Sequence, residues 1–361
     1  MSPLPSLQGT GGYRSDTAVS QNQNFVTHPS SIKMGEFITS TEGTGSWIVP
    51  AGVTWASFIV IGGGAAGCSF SETGEKAGGG GGGGGLSYSS QIMVSSGQPF
   101  PYNVGEGGLA YAWGAGNDGG DTWIKDTDDV TIVEAEGGQA GDYNAGPSSG
   151  NQGPTGGRGG MGYPSRGYAC IGGGRGGTGG NNVPTSNNDY GGGGGGAGGY
   201  GTSPNSVSNG RGGGGGKTYH SGPSGWQYID GTSGNEGAGG GGAGGRGGGG
   251  TGLYGQGTDG AGGDDPSTSP FYGAGRGGSP SAIITETAYD ATPPHGLGTQ
   301  PNAVGGGEKG AYKVGGLFGG GGAGGWATPP SVVGANGGEG ALRIVYGCGV
   351  SFPDDAKGKY S

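Results

Sequence analysis

The chain has little of what an ordinary domain is built from. Of its 361 residues, 29% are hydrophobic and 12% are charged, too few apolar side chains to give the whole length a conventional core. No apolar run reaches the roughly 18 residues a membrane span requires. The opening MSPLPSLQGTGGYRSD has neither a basic n-region nor an apolar h-region, so no secretory signal is expected. The three cysteines, Cys68, Cys170 and Cys348, are odd in number and widely scattered. They match no disulfide framework and no zinc spacing, and three reduced thiols are expected. Positive charge is also short: the net charge of −10 argues against nucleic acid as a partner and against an anionic membrane surface.

Groups that do chemistry are equally sparse. His28, His220 and His295 each sit in a polar stretch far from the others, and are read as surface histidines. The acidic pairs Asp128/Asp129, Asp264/Asp265 and Asp354/Asp355 lack the alternating D-x-[DN]-x-[DN]-G spacing of a calcium loop and are read as solvating loop residues. No catalytic, cofactor-binding or metal-binding residue is assigned, and enzyme activity is not expected.

What is abundant is glycine, 108 residues where about 7% is usual. One run, GRGGGGGKTYH at 210–220, ends in Lys217 and Thr218 like a phosphate-binding loop. The P-loop needs a glycine five positions before the last one; counting back from Gly216 reaches Arg211. No hydrophobic strand enters the run and no helix leaves it. Repeats of G-x-G-x-x-G are what chance placement gives at this glycine content. Collagen is excluded because no G-X-Y register persists and proline is scarce.

The glycine is unevenly placed. Residues 1–35 are a polar arm. From 36 to 136, short β-branched and aromatic runs recur: 37–41, SWIV, WASFIVI, LSYSSQIMV, PFPYNVG, DTWIKD and VTIVEAE, punctuated by turns such as PAGV and SSGQ. ALRIVYG at 341–347 is a further strand that can pair with the first ones. The expectation is an all-β fold: an antiparallel β-sandwich, jelly-roll-like, from 36–136 plus 341–347, with little or no α-helix. Between 137 and 340, glycine runs alternate with polar-aromatic loops, and 348–361 is a short tail. Glycine weakens both helix and sheet. The ordered option left is a left-handed helix of three residues per turn, without internal hydrogen bonds. Each run must then satisfy its backbone on neighbouring runs, which implies an inserted bundle of polyglycine type II helices.

The frame SWIVPAGVTWASFIVIGGG, then GGGGGGGGLSYSS, then VSSGQPFPYNVGEGG, and finally GGEGALRIVYG resembles the glycine-rich domain of tailed-phage virion proteins, marine cyanophage ones in particular. That pattern reads W-x-V-P-x-G-V as a hairpin and closes on G-A-x-R-I-x-Y. The polyglycine bundle is similar to that of the adhesins at T-even fibre tips, which present variable loops between stacked glycine helices. The resemblance implies a virion protein assembled in a host cytoplasm, with a tail fibre favoured over the capsid surface.

The loops between runs are rich in Tyr, Trp, Ser and Asn, the composition of adaptable binding surfaces. Tyr163, Tyr168, Tyr190, Tyr219, Trp226, Tyr228, Phe271, Tyr272, Tyr289 and Trp326 are the candidate receptor-contact residues. The competing reading is that each aromatic plugs the flank of a bundle that has no side chains of its own. Two functions follow: a tail-fibre or receptor-binding component directed at host-surface glycans or proteins, or a capsid fibre, decoration or spacer protein without a receptor. Expected partners are other virion proteins through residues 1–35 and the sandwich, and further copies of the chain, a trimer being one arrangement. No cofactor, nucleic acid or membrane insertion is expected.

Overall fold

A computed structural model describes residues 35–68, 78–111, 115–141, 160, 162–164, 170–181, 191–201, 209–216, 218–220, 226–228, 230–242, 247–253, 256, 259–262, 315–316, 318–324, 334–347 and 352. Among these residues there is no helix. The strands are β1 (Gly35–Thr39), β2 (Gly43–Ile48), β3 (Trp55–Ile61), β4 (Leu86–Met93), β5 (Pro99–Val104), β6 (Thr122–Lys125), β7 (Thr131–Ala135), β8 (Gly162–Pro164), β9 (Cys170–Gly174), β10 (Thr218–His220), β11 (Trp226–Tyr228) and β12 (Ala341–Tyr346). One five-stranded antiparallel sheet has the order β1-β12-β3-β4-β9 and a second the order β2-β5-β6-β7-β8. The all-β expectation is what the structure shows, and ALRIVYG, as β12, lies between β1 and β3.

The two sheets share one apolar core. Phe58, Val60, Leu342 and Ile344 of the first sheet meet Trp47, Phe100, Ile124 and Val133 of the second. Trp47 lies edge-on to Phe58 with centroids 6.2 Å apart, and Phe58 is 5.7 Å from Phe100. Aromatic pairs in this geometry add to the burial of large side chains. WASFIVI is apolar at nearly every position because both faces of β3 are covered: Phe58 and Val60 face the shared core, Ile59 and Ile61 a second cluster.

One expected hairpin is corrected. SWIV and WASFIVI are not paired with each other: β2 pairs with β5, whereas β3 pairs with β12 and β4. The PAGV turn therefore carries the chain from one sheet to the other, as does the SSGQ turn between β4 and β5. Val49 and Val53, flanking the first turn, are both buried in the shared core. The two turns are tied together, Val49 N–H donating to the Gln98 carbonyl and Gly97 N–H to the Val49 carbonyl.

The strands continue directly into glycine runs. Gly62, Ala65 and Cys68 donate their N–H to the carbonyls of Gly85, Gly82 and Gly79; Gly63 and Ala66 donate to Gly120 and Asn117; Gly64 and Gly67 donate to Gly338 and Ala335. One run thus serves three neighbours in rotation, as a helix of three residues per turn must. The run 78–85 is enclosed. It donates to 174–180, 319–324 and 136–141, and accepts from 62–68, 191–201 and Gly160. At 3.1 Å per residue, these eight residues form a rod about 25 Å long.

Space, not dihedral freedom, reserves these rods for glycine. Positive φ among the described glycines occurs at turns, strand irregularities and rod ends, such as Gly210, Gly237 and Gly319; elsewhere the rods keep to backbone angles open to any L-residue. A Cβ on Gly83 or Gly84, however, would lie under 3.0 Å from the carbonyl of Gly196 or Gly62. The backbones approach so closely that hydrogen bonds between them, each worth about 1 kcal/mol net, take the place of a side-chain core.

The division of the chain differs from the sequence expectation of a bundle confined to 137–340. Rods already occupy 62–68 and 78–85, and the expected loop at 163–171 contributes β8 and the start of β9 to the sheets. Sheet and bundle are joined by the second apolar cluster, in which Ile59, Ile61, Leu86, Tyr88 and Val345 meet Tyr200, Leu253 and Phe318 from rod ends. Arg343, 1% exposed, crosses this junction: Nη1 donates to the Leu253 carbonyl at 3.0 Å, while Nε and Nη2 donate to Glu36 Oε2 at 3.1 and 2.9 Å.

Candidate functional site

Rod directions follow from hydrogen-bond partners. Residues 62, 65 and 68 pair with 85, 82 and 79, so the first rod leaves the sheets and the second returns. The same reasoning makes 174–180, 210–216, 238–242 and 319–324 outbound, and 191–201, 230–235, 247–253 and 334–340 inbound. The outbound rod ends at 68, 180, 216 and 324 and the inbound rod starts at 78, 191, 230 and 334 therefore lie at the end of the bundle remote from the sheets. Turns at the sheet end are tight where described: Glu236–Gly237 and Phe318–Gly319, all with positive φ. The first described residue, Gly35, pairs with Tyr346 at the opposite pole of the molecule.

Four of the candidate contact residues fall in described strands. Tyr219, Trp226 and Tyr228 belong to the antiparallel pair β10–β11, with Tyr219 opposite Gln227, His220 opposite Trp226 and Thr218 opposite Tyr228. This pair is carried between the outbound rod 210–216 and the inbound rod 230–235. Tyr163 lies elsewhere, in β8 opposite Glu134 of β7. Tyr168, Tyr190, Phe271, Tyr272, Tyr289 and Trp326 lie outside the described residues. So do His28 and His295, and the acidic pairs at 264/265 and 354/355.

Asp128 and Asp129 are part of the β6–β7 turn. Asp126 Oδ1 accepts the N–H of Asp128 and of Val130, both at 2.9 Å, and Asp129 pairs with Lys125 at 2.8 Å. These carboxylates shape a turn. Among the described residues no group of three or more His, Cys, Asp or Glu is placed to hold a metal ion, and no helix is long and apolar enough to cross a membrane. Cys68 is buried and its thiol donates to the Gly141 carbonyl. Lys217, the residue that suggested a phosphate loop, lies outside the described residues; Thr218 starts β10, and among the described residues no helix follows.

Sequence reasoning missed a different set of polar residues. Where a rod lies at the edge of the bundle, side chains of its neighbour replace carbonyls as acceptors. Asp118 Oδ1 and Asp121 Oδ1 accept the N–H of Ala140 and Gly137 at 2.6 and 2.9 Å. Thr232 Oγ1 accepts from Gly214 at 2.7 Å, and Asn235 Oδ1 accepts from the N–H of Arg211. Each pair is three residues apart, the repeat of the rod it faces. The signal was in the sequence as D-x-x-D and T-x-x-N within glycine runs. A cavity of about 370 Å³, lined by Arg211, Gly212, Gly214, Thr232, Ser233 and Asn235, opens beside the second pair.

Carboxylates near the sheets are perturbed. Glu134 is held above its ordinary value of 4.5 by burial, and then by the neighbouring charges of Asp121 and Glu136, with Lys125 acting in the opposite sense. Glu339 is raised by burial and by Glu42.

These features define a class of protein: antiparallel sheets whose strands run on into a hexagonally packed polyglycine bundle. The chain belongs to the family described as "Glycine-rich domain", which matches residues 39–285. The fold extends beyond that match, since rod 334–340 and the central strand β12 follow it. No curated protein matches the chain.

Proposed function

We propose that this protein is a structural component of a tailed-phage virion, and within it a tail-fibre or receptor-binding part. Its rods would hold aromatic-polar loops rigid toward a host-surface glycan or protein. The observation that carries the reading is directional: outbound rods end and inbound rods begin at one pole, and Gly35, the residue that follows 1–34, lies at the other. One pole suits recognition and the other attachment to virion proteins. The sequence frames shared with phage glycine-rich domains support the virion context.

Rigidity is the physical advantage. Ordering side chains upon binding costs about 0.5–1.5 kcal/mol for each one immobilised. A rod such as 78–85, hydrogen-bonded on all sides, fixes the roots of its loops before any ligand arrives. Aromatic faces stack on sugar rings, while small polar neighbours supply adaptable hydrogen bonds.

The test is competition for adsorption. Host cells are preincubated with purified protein, or with a variant carrying Trp226→Ala and Tyr228→Ala, before phage is added. The native protein is expected to block adsorption and the variant to block it at least tenfold less well. Native protein that neither binds cells nor blocks adsorption would overturn the receptor-binding reading in favour of a spacer or decoration role.

A further inference from the structure

The edge of the bundle at rods 210–216 and 230–235 carries two rows of backbone groups with no partner among the described residues. In rod 210–216 the carbonyls of Gly210, Gly213 and Gly216 accept from rod 191–201, and those of Arg211 and Gly214 accept from rod 230–235. The remaining set, Gly212 and Gly215, receives no donor. In rod 230–235, Thr232 and Asn235 donate to rod 210–216 and Gly234 donates to Gly260; the remaining set, Asp230 and Ser233, has no acceptor. Each row repeats every three residues. In the enclosed rod 78–85, by contrast, neighbours occupy all these directions.

A second observation shows that the acceptor row faces open space at Gly215, whereas Gly212 is buried. In these rods the Cβ direction of one residue coincides with the carbonyl direction of the next. A Cβ on Gly212 would point at Gly196, which also donates to the Gly213 carbonyl. A Cβ on Gly213 would point at Thr232, which donates to the Gly214 carbonyl. By the same rule the exposed Arg211 side chain leaves the rod toward the Gly212 carbonyl, and a Cβ on Gly214 marks the direction of the Gly215 carbonyl. There it would meet nothing closer than 3.6 Å, the flanking atoms being the hydroxyls of Thr178 and Thr232. Among the described residues, a position in the packing lattice next to rod 210–216 is therefore vacant at the level of Gly215. The cavity lined by Arg211, Thr232 and Ser233 opens on the same side.

We propose that this edge is a self-association surface, where rod 230–235 of a second copy takes the vacant position and donates its Asp230 and Ser233 N–H to the Gly212 and Gly215 carbonyls. The occupant is set by hydrogen-bond chemistry. It must offer N–H groups at a three-residue repeat in an extended left-handed backbone, which polyproline cannot do because it has no N–H. The donor row of a second copy meets that requirement with the same repeat. The contact joins two different patches, so it is heterologous and builds rings or chains, not a closed pair. It is the rod counterpart of adding a strand to a sheet edge.

Sedimentation of the full chain across a hundredfold concentration range tests the proposal, with two variants. Gly214→Trp fills the vacant position. Ser233→Pro deletes one outward N–H; because it also removes the Oγ that accepts from Gly262 N–H at 3.3 Å, Ser233→Ala serves as its control. Wild type is expected to associate as concentration rises, and each variant to weaken that association at least tenfold, with circular dichroism and melting temperature preserved. A wild type that stays monomeric throughout, or a folded variant that associates as wild type does, would overturn the proposal.

Discussion

Replacing a rod glycine by alanine should change sign with position, and Gly83 and Gly214 make the contrast. Both have backbone angles alanine can adopt, so each substitution gains about 0.4–1 kcal/mol by restricting the unfolded chain. At Gly214 the new methyl meets nothing within 3.6 Å, and that gain stands. At Gly83 the methyl would press on the carbonyl of Gly196 at under 3.0 Å. That oxygen belongs to another enclosed rod and cannot swing aside as a side-chain tip would. Overpacking in a tight interior costs about 1–3 kcal/mol. Separating the rods also strains the bonds from Gly83 N–H to the Gly177 carbonyl and from Gly160 N–H to the Gly83 carbonyl, at about 1 kcal/mol each. Gly83→Ala is therefore expected to destabilise by about 2–4 kcal/mol, the sum of these terms less the unfolded-state gain. Gly214→Ala should stabilise by about 0.5 kcal/mol. Urea unfolding followed by circular dichroism and by tryptophan fluorescence reads both. Equal effects at the two sites would refute the claim that backbone proximity, and not dihedral freedom, reserves the rods for glycine.

Two further outcomes follow from side chains at the edges. Asp118→Ala removes the acceptor of Ala140 N–H at an exposed position, so water compensates in part and the loss should be about 0.5–1 kcal/mol; Asp118→Asn keeps an amide oxygen there and should recover most of it, as urea midpoints would reveal. Burial raises Glu134 above 4.5, so the folded protein holds this proton more tightly than the unfolded chain does. Its contribution is then fully present below pH 4.5 and is lost as pH rises through the higher folded-state value. Glu134→Gln should accordingly stabilise at pH 7 and be nearly neutral at pH 4, which melting curves at the two pH values will check. An equal effect at both would contradict the assigned perturbation.

Much of the sheet region was legible because its strands need side chains. WASFIVI and ALRIVYG are apolar on both faces, and such runs bounded by glycine read as buried strands; they are β3 and β12. The partners of β2 and β3 were less accessible. The same PAGV turn would serve a hairpin or a crossover between sheets, and the difference lies in where Val49 and Val53 are buried. The strand CIGGG, β9, was missed because composition cannot separate a glycine strand from a glycine rod. The two differ in whether successive N–H groups alternate between two sides or rotate among three. Of the candidate site, the part borne by β10 and β11 lies at described positions, while most of the aromatic residues do not. Asp118, Asp121, Thr232 and Asn235 were not legible because a polar residue inside a glycine run reads as solvating until its three-residue spacing is matched to the repeat of a neighbouring rod.

The junction between sheets and rods explains how a chain with so few apolar residues can fold to one register. A polyglycine rod has no side chains to distinguish one alignment from another three residues along, because every such slip restores the same hydrogen bonds. Strands do not share that degeneracy, since a slip by one residue exchanges the side chains of the two faces. β3 is fixed against β4 by Phe58, Ile59 and Ile61, and the rods 62–68 and 78–85 begin where that pairing ends. They inherit its alignment, Ile61 opposite Leu86 passing directly into Gly62 N–H on the Gly85 carbonyl. Rods remote from the sheets need other markers. Tyr200 against Tyr88, with its hydroxyl on the Gly252 carbonyl at 2.7 Å, sets one. Arg343 on the Leu253 carbonyl sets another, and the Thr232 and Asn235 side chains set the outermost. The sparse side chains within the glycine runs thus carry the registration that glycine cannot, and the bundle extends the order of the sheets outward to the roots of its loops.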